Sequence, residues 1–442
     1  MPDSVPDAMP LTSSPASITE PALYETGVPY ERFAVMRETP GLVWHPYESS
    51  GFWAVTRYDD VKKVSATPEV FSSGMGHTNL WDLEADALEA RRSIIDTDAP
   101  DHTRLRRLVS RIFTPRSIRR WEDLTRAITA ELLDDFIERG GGDWVELVAA
   151  PLPIRVILSI LGVPIDDADY LVELSNYLVE GTGDRPSLPD DAFGNTTPLR
   201  LLPFGSPASH ALYTYGENLG AERHAEPQDD LVTQLVQAAD EGDRLSASEF
   251  RNLFHVLVFA GNETTRTALS HGAIAFAEHP DQWQRVVDES NIHDSTSTDS
   301  TSPDSASPDS ASLDAATEEV LRWATPVLHM RRTAAVDAEL AGTPIARGDK
   351  VVMWYASANR DPAMFEDPMT FDVGRPDNRQ CSFGSGGPHF CLGASLARME
   401  IRVVLEEMAK RRLALELRGE PVRAASNFVN GILSVQLAPA DS

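Results

Sequence analysis

Ser382-Phe-Gly-Ser-Gly-Gly-Pro-His-Phe-Cys391-Leu-Gly-Ala-Ser-Leu-Ala-Arg398 is the stretch on which the reading of this chain turns. Three glycines and a proline precede the cysteine, and a good helical sequence follows it. Cys391 is therefore expected at a helix N-terminus, where free N–H groups and the macrodipole favour a thiolate. The glycines allow the backbone to approach something flat or bulky. An ordinary loop with a half-buried thiol is the bland alternative, and a lone cysteine would not displace it. What surrounds the cysteine does.

The second cysteine, Cys381, lies ten residues upstream. So short a separation in a Gly-rich segment argues against a stabilising disulfide, and two cysteines cannot complete a zinc cluster. A reducing, cytoplasmic setting fits. Lys and Arg number 39 against 68 Asp and Glu, a net charge of −29, which repels nucleic acid and anionic membranes. No run approaches the eighteen or so apolar residues of a membrane span. The first basic side chain is Arg32, so the start resembles neither a secretory signal nor a transit peptide.

Residues 1–22, rich in Pro, Ser, Ala and Asp, are expected to lack fixed structure. Helical periodicity marks 101–113, 117–138, 166–180, 247–279, 281–289, 315–323 and 392–412. Phe52–Val55 and Val351–Met353 read as short strands. The pattern argues for a mainly α-helical protein with small β-sheets. The 247–279 helix opens on the capping-box spacing Ser246-Ala-Ser-Glu249 and ends at His279-Pro280. Its first half is apolar nearly all round, as in a helix crossing an interior. Across 294–314 an Asp recurs every five residues among Ser, Thr, Ala and Pro, which reads as a solvated low-complexity loop and not a calcium repeat.

Midway along the long helix lies Ala260-Gly-Asn-Glu-Thr-Thr265. Gly261 weakens the helix, and threonine hydroxyls can bond the carbonyls of the preceding turn. Glu263 beside Thr264 is a candidate proton relay in an otherwise apolar segment.

Taken together, these features resemble the cytochrome P-450 family over about Tyr24 to Leu437. His389-Phe390-Cys391-Leu392-Gly393 matches that family's haem-binding loop, although Phe383 stands eight residues before the cysteine where seven is usual. Glu319-Val-Leu-Arg322 matches its Glu-x-x-Arg helix, and Arg375 the arginine completing a buried cluster. The resemblance implies the cytochrome P-450 fold, a single catalytic domain over 23–438, and haem b with Cys391 as the axial iron ligand. A thiolate ligand favours O–O cleavage. His102, Arg106, Arg332 and His389 match the residues that hold the haem propionates, and Glu263 and Thr264 the proton-delivering pair. Glu319, Arg322 and Arg375 are assigned to structure.

The implied activity is hydroxylation of a C–H bond in an apolar substrate (a steroid, terpenoid or branched lipid), using dioxygen and two electrons. A tailoring oxidase for a secondary metabolite is the alternative. A haem-thiolate sensor would need Cys391 but not the Glu263–Thr264 pair, and a haem-free scaffold would need neither. No flavin or iron–sulfur motif is visible, so a ferredoxin and ferredoxin reductase are expected as electron donors. Arg104, Arg107, Arg111, Arg398 and Arg402 are expected to form their docking patch. Trp81, Leu83, Phe259, Ala260, Val327, Leu328 and Phe428 are the expected pocket walls, and 181–209, with Leu201-Leu-Pro-Phe204, an apolar lid.

Overall fold

The computed structural model describes residues 17–48, 50–110, 112–180, 201, 206–237, 245–294 and 308–440. Residues 1–16, Arg111, most of the expected lid and 295–307 of the low-complexity tract lie outside the described residues. Helices dominate, and the main sheet has five short strands. Its order is Val43–His45, Phe52–Val55, Lys350–Trp354, His329–Ala334 and Phe71–Ser72. The Phe52–Val55 and Lys350–Trp354 strands run parallel, and the other pairs antiparallel. Both strands expected from the sequence are in this sheet.

The long helix runs Ala247–Glu278, 32 residues and about 48 Å at 1.5 Å per residue. Its capping box forms as expected: Ser246 Oγ accepts from Glu249 N at 3.2 Å, and Glu249 Oε2 accepts from Ser246 N at 2.8 Å. The more enclosed half, however, is the second, where every residue from Thr265 to Phe276 is buried. Two of its buried polar residues find partners there. Ser270 Oγ donates to Arg266 O at 2.8 Å, and His271 Nε2 meets Asn430 O at 2.8 Å. In the first half, Val256, Phe259, Ala260 and Gly261 are less covered.

Two expectations of missing structure need correction. Within 17–22, Ile18 and Thr19 are buried, and Tyr24 donates its hydroxyl to Ile18 O at 2.8 Å. The helix expected over 315–323 starts at Pro308, so the last part of the Asp/Ser tract is helical. Proline at a first turn loses no hydrogen bond there, and Ala and Leu follow it.

Glu319, Arg322 and Arg375 converge. Glu319 and Arg322 are both fully buried. Arg322 binds Glu319 in a fork, Nη2 to Oε1 at 2.7 Å and Nε to Oε2 at 2.8 Å. Arg375 Nε adds a bond to Oε2 at 3.1 Å. The remaining guanidinium hydrogens bind carbonyls: Arg322 those of Asn359, Pro368 and Thr370, and Arg375 that of Thr370 at 2.7 Å. One carboxylate thus ties the Pro308–Ala324 helix to the irregular segment 359–378, which leads into the Cys391 loop.

Candidate active site

The Ala247–Glu278 helix and the Ala394–Lys410 helix flank a cavity enclosing about 1460 Å³ of atom-free space, part of it open to solvent. Cys391 lines it, as do His102, Arg106, Arg332 and His389. Five residues spread over nearly 290 positions of sequence are thus brought to one void. Of the expected acid–alcohol pair, Thr264 lines the cavity and Glu263 does not.

Local chemistry explains the Cys391 loop. Gly384, Gly386 and Gly387 take φ of +85°, +86° and +76°, a region that side chains disfavour. At Gly387 a Cβ would come 2.0 Å from the carbonyl oxygen of Ser65, so this glycine approaches a neighbouring helix end and not a ligand. The loop closes on Cys391 N donating to Phe383 O at 2.9 Å. The eight-residue spacing of Phe383 is accommodated by these left-handed glycines, and the Arg398 guanidinium covers its ring at 4.5 Å.

Burial among protein atoms pushes the Cys391 thiol up. The N–H groups of Gly393 and Ala394, with the Arg106 and Arg398 guanidiniums, pull the other way. The residue is nevertheless exposed, because its free side opens on the cavity. Arg106 Nη2 also donates to Phe390 O at 2.7 Å, fastening the loop from across the cavity.

His102 and His389 lie with ring centroids 4.0 Å apart. Burial holds His389 down to about 3, helped by Arg332, so this ring is neutral. Nε2 of His102 is buried without a hydrogen-bond partner. Arg332, buried on its strand, has Asp96 near it, and burial pushes that acid up to about 6. One unpaired donor, two guanidiniums and a free thiol around one void fit haem: carboxylates for the cations, iron for the sulfur.

Glu263 is 3% exposed, behind the cavity wall. Its Oε2 has no hydrogen-bond partner, and Arg266 is 3.7 Å away. Burial pushes its carboxyl up to about 7, with Arg266 opposing. Between the usual carboxylate value of 4.5 and about 7, the folded protein keeps a proton that the unfolded chain releases. Stability contributed by this group therefore falls as pH rises through that window. Urea midpoints across the window should drop more steeply for the wild type than for Glu263→Gln.

Thr264 Oγ1 donates to Ala260 O at 2.9 Å, the back-bond expected from sequence, and the helix continues unbroken. Gly261 sits close to its neighbour: a Cβ there would lie 3.1 Å from the Ile157 side chain, which would have to shift slightly.

Of the expected pocket walls, Ala260 and Val327 line the cavity. Leu328 does not; it is fully buried in the core cluster with Ile18, Phe33 and Trp354, because extended neighbours point to opposite sides. Trp81, Leu83, Phe259 and Phe428 are also outside the described lining. The Trp81 ring meets His77 at 5.7 Å and its carbonyl accepts from Arg331, Phe259 packs on the main core, and Phe428 meets His329 at 5.4 Å. Ile94, Ile95, Phe113, Ile157, Leu257 and Met330 supply the apolar walls instead. Met330 could have been found from the alternation with Arg332 on one strand, and Leu257 from its place one turn before Gly261; the others carried no local signal.

Three of the five arginines expected in the docking patch carry ion pairs. Arg104 is paired with Glu249, Arg398 with Glu318 and Arg402 with Asp314. In an acidic chain the nearest surface carboxylates claim the cations.

Comparison with known proteins agrees with this geometry. The family model described as Cytochrome P450 matches residues 214–424. A steroid C26-monooxygenase of Mycolicibacterium smegmatis is 37% identical over 92% of this chain and 89% of its own length. A methyl-branched lipid omega-hydroxylase of Mycobacterium bovis is 38% identical over 90% and 88%. The structure of a Mycobacterium marinum cytochrome P450 in complex with pseudoionone superposes with a TM-score of 0.80 and 36% identity, covering 92% of this chain and 94% of that one. Among the described residues no helix is long and apolar enough to cross a membrane. With its relatives matched nearly end to end and a lone thiol facing the cavity, the chain belongs to the cytochrome P450 family and is a haem-binding monooxygenase.

Proposed function

We propose that this enzyme hydroxylates a C–H bond near the end of an apolar chain, in a branched lipid or a steroid side chain. The observation that carries the reading is the cavity itself. Apolar side chains, Ile94, Ile95, Phe113, Ile157, Leu257 and Met330 among them, wall the cavity that Thr264 faces, and at about 0.8 kcal/mol per buried CH₂ a lipid-sized ligand gains several kcal/mol there. The names of the mycobacterial relatives support the same class.

Cys391 would be the axial ligand of haem b, with His102, Arg106, Arg332 and His389 holding its propionates. Bound there, haem supplies dioxygen activation and the oxidation of the C–H bond. The chain's own part is different. The apolar walls position the substrate and exclude water. Thr264 presents a hydroxyl to the cavity, and Glu263, holding a proton near neutral pH, recharges it from behind. Residues 23–438, with Ile18 packed onto them, act as one catalytic unit. Electrons come from a ferredoxin and its reductase in the cytoplasm.

A spectral titration tests the substrate class. Branched lipids and steroids should shift the absorption of the haem-loaded protein with saturable, micromolar affinity, while compact polar peptides should not. The reverse preference would overturn the reading.

A further inference from the structure

The helices Pro308–Ala324 and Ala394–Lys410 are joined by two ion pairs in opposite chain order. Asp314 and Glu318, at i and i+4 on the first, meet Arg402 and Arg398 on the second. Arg402 pairs with Asp314 at 3.2 Å. Arg398 takes both oxygens of Glu318 in a fork, Nε on Oε1 and Nη2 on Oε2, the latter at 3.1 Å. Gln380 Nε2 donates to the same Oε2 at 3.0 Å. The turn that carries Glu318 is itself fixed, because Glu319 beside it is locked to Arg322 and Arg375.

Of these two pairs, the Arg398 pair is the one joined to the Cys391 loop. The Arg398 guanidinium lies over the Phe383 ring, 4.5 Å from its centroid, and Phe383 O accepts from Cys391 N. Arg398 and Arg106 are the two guanidiniums whose charge opposes the rise of the Cys391 thiol. Their prospects differ once haem is bound. Arg106 lines the cavity, where a propionate would take its charge, whereas Arg398 lies outside the described lining. Among the described residues the ion pair of Arg398 is with Glu318.

A cation near a metal-bound thiolate stabilises negative charge on the sulfur, so less of it reaches the iron. The iron then accepts an electron more readily. A carboxylate bonded to that cation cancels part of the effect. We infer that Arg398 and Glu318 are positioning residues that set, with opposite signs, how readily haem held by Cys391 is reduced. The inference rests on ligation by Cys391 and goes beyond it.

The test is an equilibrium reductive titration of the substrate-free, haem-loaded protein, with dithionite as the one-electron donor. The absorption of each reduced protein under carbon monoxide is recorded alongside, to establish that sulfur remains the ligand. At a fixed potential, Arg398→Gln should lower the ratio of reduced to oxidised haem and Glu318→Gln should raise it. Each change should be on the order of fivefold, since charges about one-third exposed are partly screened. Arg398→Lys keeps the charge and should stay close to the wild type, as should Arg402→Gln, one helical turn further from the loop. Shifts of the same sign in Arg398→Gln and Glu318→Gln, or none in either, overturn the inference. An equal shift in Arg402→Gln also overturns it, since any surface charge would then serve. Should Arg398→Gln not fold, Glu318→Gln decides by its sign alone, and a ratio that falls or stays the same overturns the inference. A wild-type band that is not of the thiolate kind overturns the ligation by Cys391 instead.

Discussion

Cys391→Ser is expected to leave the helical content of the protein intact and its monooxygenase turnover below detection. The first half follows from where the side chain points. Sγ faces the cavity and supports no core packing, while the loop around it is fixed by other bonds: Cys391 N to Phe383 O, and Arg106 to Phe390 O. The second half follows from the sulfur. Burial raises the thiol, while the N–H groups of Gly393 and Ala394 and two guanidiniums converge on the sulfur and work against that rise. A serine hydroxyl in the same place stays protonated and is a far poorer donor to iron. Circular dichroism together with product formation checks both halves, and wild-type turnover in the variant would contradict the assignment.

Glu319→Ala is expected to be nearly as damaging, for a reason unconnected with chemistry at the iron. Glu319 is the sole carboxylate bonded to Arg322 and Arg375 among the described residues, and it also accepts from Asp372 N at 2.9 Å and Asn378 Nδ2 at 3.0 Å. Its removal leaves two guanidiniums uncompensated in the interior. Breaking a buried pair in this way costs about 3–5 kcal/mol, against a total stability of about 5–15 kcal/mol. Soluble yield and the urea midpoint should fall sharply. Glu339→Ala, on an exposed hairpin, is the control and should change neither. An unaltered midpoint for Glu319→Ala would show that the cluster does not carry the fold.

These two residues mark what the sequence made legible. The Cys391 loop could be read because its constraints are local: left-handed glycines before the cysteine and helix formers after it. The bounds of the long helix were equally clear, since a capping box and a His-Pro stop frame it. The Glu319 cluster was readable only through spacing patterns, and the structure shows why those spacings hold, as one carboxylate must reach two arginines on different segments.

What stayed hidden depends on direction rather than residue type. Leu328 and Val327 are both apolar, yet extended backbone sends one to the core and the other to the cavity. Glu263 and Thr264 are adjacent, and a helix turns about 100° between them, so that only the alcohol meets the void. Ile94 and Ile95 line the cavity from a short 3-10 turn that has no period to recognise. The pairing of the arginines was hidden as well, because sequence counts charges without their partners. Glu249, Glu318 and Asp314 lie 145, 80 and 88 residues away from the cations they pair with.

The most direct measurement is the absorption spectrum of the reduced, haem-loaded protein under carbon monoxide. Ligation by the sulfur of Cys391 predicts a Soret band at the long wavelength that a thiolate imposes, abolished in Cys391→Ser. A band at the shorter wavelength of a histidine-ligated haem in the wild type would contradict the account.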